Sequence, residues 1–227
     1  MPDYQEIYRT QAAQYDLMVS REDYQHNLLP ALESVRLLAG VDVVEVGAGT
    51  GRLTAQIAPL AGSLLSLDIS EQMLAVLREN VPGVPTLAAD NRALPLVAEI
   101  ADVVIAGWSI AHSVEWYPDS WREETGRAIA EMRRLLRRGG TQIILETLGT
   151  GNETPAPPND GLAEFYQFLQ NEHGFVLTAL RTDYQFESPA EGQALLRFFF
   201  GDELADRIVA EQLTILPECT GIWSRTV

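Results

Sequence analysis

Along the chain, stretches with apolar residues three or four apart alternate with short, continuous apolar runs. Residues Tyr4 to Leu38 predict two helices, one presenting Ile7, Tyr8, Ala12 and Tyr15, the other Leu28, Leu29, Leu32 and Val35. Val41 to Val46 is β-branched and predicts a buried strand, followed by helical spacing at Leu53, Ile57 and Leu60. Ser63 to Asp68 predicts a second strand, and Ser70 stands where it can cap a helix carrying Met73, Leu74 and Leu77. A third strand falls at Val84 to Ala89 and a fourth at Ala101 to Trp108. A helix with Ile129, Met132 and Leu136, stopped by Gly139 and Gly140, then leads to a fifth strand, Thr141 to Thr147. After a Gly- and Pro-rich loop or lid, Gly149 to Asp160, the pattern gives a helix at Leu162 to Gln170 and a strand at Phe175 to Phe186. Helical material and a closing strand from Cys219 to Val227 complete it. Strands alternating with helices imply an α/β fold with a parallel sheet covered on both faces.

The junction of first strand and following helix, VVEVGAGTGRLT, carries the first chemical signal. Gly47, Gly49 and Gly51 let the backbone turn sharply and approach a ligand, and the helix start suits an anionic or carboxylate-bearing one. A tight turn that binds nothing would look similar. A pyrophosphate-binding turn wants a third glycine one position later, where Arg52 stands, so a dinucleotide is disfavoured. Glu45, an acid within an apolar strand, is expected to point into the ligand site, because a buried carboxylate needs a partner.

Composition narrows the partners. The 227 residues suffice for one domain, with an N-terminal helical cap over 1–40 and a helical insertion over 188–216. A net charge of -16 repels phosphate backbones and anionic membranes, so neither nucleic acid nor a membrane is an expected partner. Arg133, Arg134, Arg137 and Arg138 read as complements to a helix dipole. Cys219 is the only cysteine, which excludes an internal disulfide and a thiolate metal site, and no metal is expected. With no basic-then-apolar leader and no long apolar span, a cytoplasmic location is the expectation, and nothing predicts the oligomeric state.

In a doubly wound sheet, ligands gather at the carboxyl ends of the strands. Here those ends carry the glycine turn, Asp68, then Asp90 with Asn91, and WSIAH with His112. An acid at the end of the second strand is placed to hold two ribose hydroxyls. Together, VEVGAGTGRLT, LDISEQML, AADNRALPL, ADVVIAGWSIAHS and LLRRGGTQIILE resemble the class I S-adenosylmethionine-dependent methyltransferases, of the small-molecule type related to ubiquinone and menaquinone biosynthesis. The resemblance spans roughly Val41 to Glu146. It implies a Rossmann-like seven-stranded sheet of order 3-2-1-4-5-7-6 with strand seven antiparallel, and S-adenosyl-L-methionine as cofactor. It places Gly47, Gly49 and Gly51 about the methionine portion, Asp68 on the ribose, Ile69 and Met73 beside the adenine, and Asp90 and Asn91 at the adenine amino group, with Glu45 and Ala48 also among the cofactor-binding residues. Gly107 and Trp108 would line the methyl-transfer side, and Tyr15, in a QYD stretch, would close over the cofactor. A run of Arg137 and Arg138 replaces the family's usual L-K-P-G-G lead into strand five, and no N-P-P-Y run follows strand four, which disfavours methylation of adenine or of a glutamine amide.

The implied activity is methyl transfer to an O, N or C nucleophile of a small molecule. His112 is the candidate general base, although it could equally position the substrate. Trp108, Trp116, Tyr117 and Trp121 either pack the next helix or wall a planar or cationic acceptor. The LRFFF run, Leu196 to Phe200, is read as core before substrate box. A non-catalytic cofactor-binding subunit and aminopropyl transfer from a decarboxylated cofactor are the competing readings.

Overall fold

The computed structural model describes residues 3–227. Among the described residues nine strands occur: β1 (Asp42–Val46), β2 (Ser63–Asp68), β3 (Thr86–Ala88), β4 (Ala101–Gly107), β5 (Leu136–Thr150), β6 (Val176–Arg181), β7 (Tyr184–Gln185), β8 (Ile215–Leu216) and β9 (Glu218–Thr226). All but β7 and β8 form one sheet of order β3-β2-β1-β4-β5-β9-β6, with β9 antiparallel to both neighbours; β7 and β8 pair with each other. Setting that small ribbon aside, this is the 3-2-1-4-5-7-6 arrangement that the sequence implies.

Among the described residues ten helices, α1 (Tyr4–Thr10), α2 (Ala12–Val19), α3 (Leu28–Val35), α4 (Arg52–Ile57), α5 (Glu71–Asn80), α6 (His112–Trp116), α7 (Trp121–Leu135), α8 (Asp160–Asn171), α9 (Pro189–Phe200) and α10 (Asp202–Ala210), accompany the strands. Successive strand residues point to opposite faces, so Val44 and Val46 join a core with Ile129, Met132, Phe165 and Trp223, while Val43 joins another with Leu28, Leu32, Leu53 and Ile57. Ser70 caps α5 as its side chain accepts the Met73 N–H at 3.3 Å.

Several boundaries differ from the sequence pattern. The first N-terminal helix is two helices, since Gln11 leaves helical geometry at φ -127, ψ 29 between α1 and α2. The helix before strand five ends at Leu135, short of the glycines; Arg137, Gly139 and Gly140 lie within an irregular start of β5, where the register with β4 shifts between Ala101 and Val103. Phe175 to Phe186 divides into β6 and β7, because Thr182 and Asp183 turn away: the Thr182 N–H goes to Glu218 O and the Asp183 carboxylate accepts from the Glu218 N–H. Leu60 falls outside α4.

The basic cluster is structural rather than a dipole partner alone. Arg134 bonds Glu131 and the carbonyls of Leu94 and Leu96, and Arg137 bridges Asp42 and Asp102. Phe198, Phe199 and Phe200 pack on a third core of Met18, Val19, Tyr184, Leu195, Leu196 and Ile208, which joins α2 to α9 and α10. Trp121 is buried against Phe165 and Phe168, so it belongs to packing and not to a substrate wall. Among the described residues no helix is long and apolar enough to cross a membrane.

Candidate active site

Register aligns the strand ends. Asp68 pairs with Ala88, Val46 with both Leu67 and Ala106, and Gly107 with Leu145, so the chain segments leaving β3, β2, β1 and β4 emerge side by side. They open onto a cavity of about 430 Å³. Of the residues singled out by sequence, Tyr15, Glu45, Gly47, Ala48, Gly49, Asp68, Ile69, Met73, Asp90, Asn91, Gly107, Trp108 and His112 all line it.

Gly51 does not. It has φ +96 as the residue before α4, and a Cβ there would lie 3.0 Å from the Leu77 side chain, so its glycine is required by helix packing. Gly47 is also a packing glycine in part, since at φ +68 its Cβ would lie 2.3 Å from Ser109 Cβ. At Gly49, φ +56, a Cβ would meet only the Met73 methyl, at 3.5 Å; this is the glycine of the turn with room above it.

The electrostatics separate the acids. Asp68 accepts from the Gly49 N–H (Oδ2, 2.8 Å) and the Ser70 N–H (Oδ1, 2.8 Å), while burial raises its pKa against those bonds. Glu45 is 1% exposed and pushed up to about 7 by burial; its Oε2 accepts from Thr54 (2.6 Å) and Ser66 (2.8 Å). It borders the cavity, but its bonding oxygen is turned to those two hydroxyls rather than to open space. Asp90 is held ionised below the usual carboxylate range by Arg92, which also pairs with Glu124 at 2.9 Å.

At the other end, His112 begins α6. Its Nε2 lies 2.8 Å from the Tyr8 hydroxyl and its ring stacks on Trp116 with centroids 4.8 Å apart. Burial pushes the imidazole down to about 4 and the Tyr8 phenol well up. Behind this loop, buried Glu146 receives the Ala111 N–H at 2.9 Å and is pushed up to about 8 by burial.

Sequence relationships agree with this layout. Residues 44–144 match the methyltransferase domain family. The chain is 27% identical over 144 residues to an uncharacterized methyltransferase of Bacillus cytotoxicus (61% of this chain, 65% of the relative). It is 31% identical over 150 residues to a ubiquinone/menaquinone biosynthesis C-methyltransferase of Burkholderia mallei (62% of this chain, 58% of the relative). It thus spans less than two thirds of either relative's length. The solved structure of an S-adenosylmethionine-dependent methyltransferase from Aquifex aeolicus aligns over 92% of both chains at TM-score 0.56 and 14% identity, a likeness of fold. These likenesses support a class I S-adenosylmethionine-dependent methyltransferase. They likewise support S-adenosylmethionine as the cofactor.

The sequence missed several residues that line this cavity. Gln5, Tyr8 and Arg9 from α1, Arg52, Arg92, and Ser113 with Thr125 also line the cavity. Tyr8 was legible only as an apolar position of a helix; nothing local signals that it meets a histidine 104 residues away. Arg52 was legible as the residue displacing a glycine, without sign of its partner Glu22.

Proposed function

We propose that the protein transfers a methyl group from S-adenosylmethionine to a small-molecule acceptor held between Tyr8, His112 and Trp116. The observation that carries this reading is that one cavity joins the Gly49–Asp68 pair to His112. The residues present suit an adenosyl cofactor. Asp68 has each oxygen engaged by one backbone N–H, and a carboxylate with about four lone-pair sites retains capacity for a ribose diol. The space over Gly49 suits close passage of a ligand, and Ile69, 64% exposed, and Met73 offer apolar surface to a purine.

When bound, the cofactor supplies a methyl carbon already activated by its sulfonium, so the chain's share is orientation, desolvation and proton handling. A pKa of about 4 makes His112 neutral and a weak base: protonating it at pH 7 costs about 4 kcal/mol. Its Nε2 accepts the Tyr8 hydroxyl in the neutral tautomer that leaves this nitrogen unprotonated, and Trp116 fixes the ring plane. This supports His112 as a group that orients an acceptor, ahead of proton abstraction.

The reading is tested by thermal unfolding with S-adenosylhomocysteine, using NAD and ATP as controls. At a hundredfold excess over Kd, binding adds about 2.7 kcal/mol, or roughly 5 to 11 °C for a chain of this size. Asp68→Ala abolishes the shift, and methyl transfer to a panel of small hydroxyl, amine and carbon acceptors then identifies the substrate. A shift with NAD, or with none of the three, sinks the proposal.

A further inference from the structure

Glu146, near the end of β5, takes no part in the cavity wall, yet it is only 4% exposed. Other buried acids have side-chain partners: Glu45 has Thr54 and Ser66, Glu218 has Thr147, and Asp183 has Arg181. Among the described residues no side chain bonds Glu146. Its Oε1 accepts the Ala111 N–H at 2.9 Å, and the N–H groups of Ile110 and Ser109 also act on the carboxyl. Burying a carboxyl is costly unless it is hydrogen-bonded, and here the compensation comes from the backbone of one turn.

That turn needs holding. Trp108 opens it at φ +48, in the left-handed region that a bulky residue avoids and that persists only where the surroundings fix it. It closes on α6, which has five residues and an N-cap, Ala111, without a side-chain cap. A helix this short is not stable on its own. Two successive residues of β5 fasten the turn at either end: the Leu145 carbonyl takes the Trp108 N–H at 2.7 Å, and the Glu146 carboxyl takes that of Ala111.

The next residue is His112. Its Nε2 lies 2.8 Å from the Tyr8 hydroxyl, and its ring is parallel to Trp116 within 7°, so the place of both rings follows from where α6 starts. Around Glu146 and His112 stand Tyr4 and Tyr8 from α1, Tyr15 from α2 and Tyr166 from α8. Burial raises the pKa of all four phenols, so none of them adds charge near neutral pH.

We propose that Glu146 is the positioning residue of His112: seated on the amides of the turn that leads into α6, its carboxyl sets where the imidazole meets Tyr8 and the acceptor. The inference rests on the reading above that His112 orients an acceptor.

The test is the imidazole nitrogen spectrum of the nitrogen-15-labelled full chain, which has three histidines, His26, His112 and His173. The signal lost in His112→Gln is assigned to His112. In wild type it is expected as a single neutral tautomer with Nε2 unprotonated, unchanged between about pH 5.5 and 8. Glu146→Ala is expected to move that signal toward the average of the two tautomers and to raise its titration midpoint by at least about one unit, toward the free value of about 6.5, while His26 and His173 stay in place. Glu146→Gln, whose amide oxygen can still accept the Ala111 N–H, is expected to keep the wild-type signal. If Glu146→Ala does not fold, Glu146→Asp, one methylene shorter, is read in its place. An unmoved His112 signal in the folded variant, equal movement of all three histidines, or a glutamine variant that shifts His112 as alanine does overturns the assignment. These spectra need neither cofactor nor acceptor, so they decide the link between Glu146 and His112 separately; wild type that binds no S-adenosylhomocysteine overturns the methyl-transfer reading instead.

Discussion

Replacing Glu45 with glutamine produces a stability change whose pH dependence follows from the site. Glu45 is 1% exposed, and burial pushes its pKa from 4.5 to about 7 against the opposing bonds from Thr54 and Ser66. Below pH 4.5 the acid is protonated both folded and unfolded and carries no linkage penalty. As pH rises the unfolded chain ionises first, so the folded state loses stability through pH 7 and then levels. A difference of about 2.5 units corresponds to about 3 kcal/mol. Glutamine matches the protonated acid in shape, and its carbonyl accepts the same two hydroxyls, so the variant escapes this loss. The two proteins are therefore expected to be similar near pH 4.5, with Glu45→Gln ahead by about 3 kcal/mol at pH 8, or roughly 6 to 12 °C in Tm. Urea unfolding at half-unit steps from pH 4.5 to 8 measures the gap directly. A gap that stays constant across that range refutes the reasoning, because it would mean that Glu45 ionises alike folded and unfolded. Asp68 contributes to the upward push, so the gap narrows in an Asp68→Asn background.

Other consequences are read more simply. With His112 pushed down to about 4, initial rates of methyl transfer show no histidine inflection between pH 5.5 and 8; an inflection near 6.5 that disappears in His112→Ala would restore the general base. Tyr8→Phe removes the hydroxyl 2.8 Å from the part-buried His112 Nε2, costing about 0.5 to 1.5 kcal/mol by urea unfolding; no loss would show that the pair is not formed. Both Gly47→Ala and Gly49→Ala incur about 1 to 2 kcal/mol of left-handed strain, but only Gly47→Ala drives a methyl to 2.3 Å from Ser109, adding about 1 to 3 kcal/mol. Gly49→Ala is expected to act mainly on S-adenosylhomocysteine affinity, and equal unfolding penalties for the two variants would contradict this division.

What the sequence revealed follows from the range of each interaction. Strands β1, β2 and β4 were legible because they are largely buried and therefore mostly apolar, and the Ser70 cap because its partner is three residues away. The acidic residue inside β1 was legible as an anomaly, but its resolution was not, since Thr54 and Ser66 come from α4 and β2. Likewise the three glycines looked equivalent in sequence. Their surroundings, Ser109 for one, Met73 for another and Leu77 for the third, give them different duties.

The two ends of the cavity consequently differ in how far sequence can reach. At the strand ends Asp68, Gly47, Gly49, Asp90 and Trp108 sit on or just after their own strands, so a parallel sheet converts order along the chain into order along one edge. The other end of the cavity is made by α1 folding across to α6, which brings Tyr8 to His112, and by Phe199 of α9 packing on Tyr4, Tyr8 and Tyr15. Those contacts depend on how helices from opposite ends of the chain cross, and no local period encodes that.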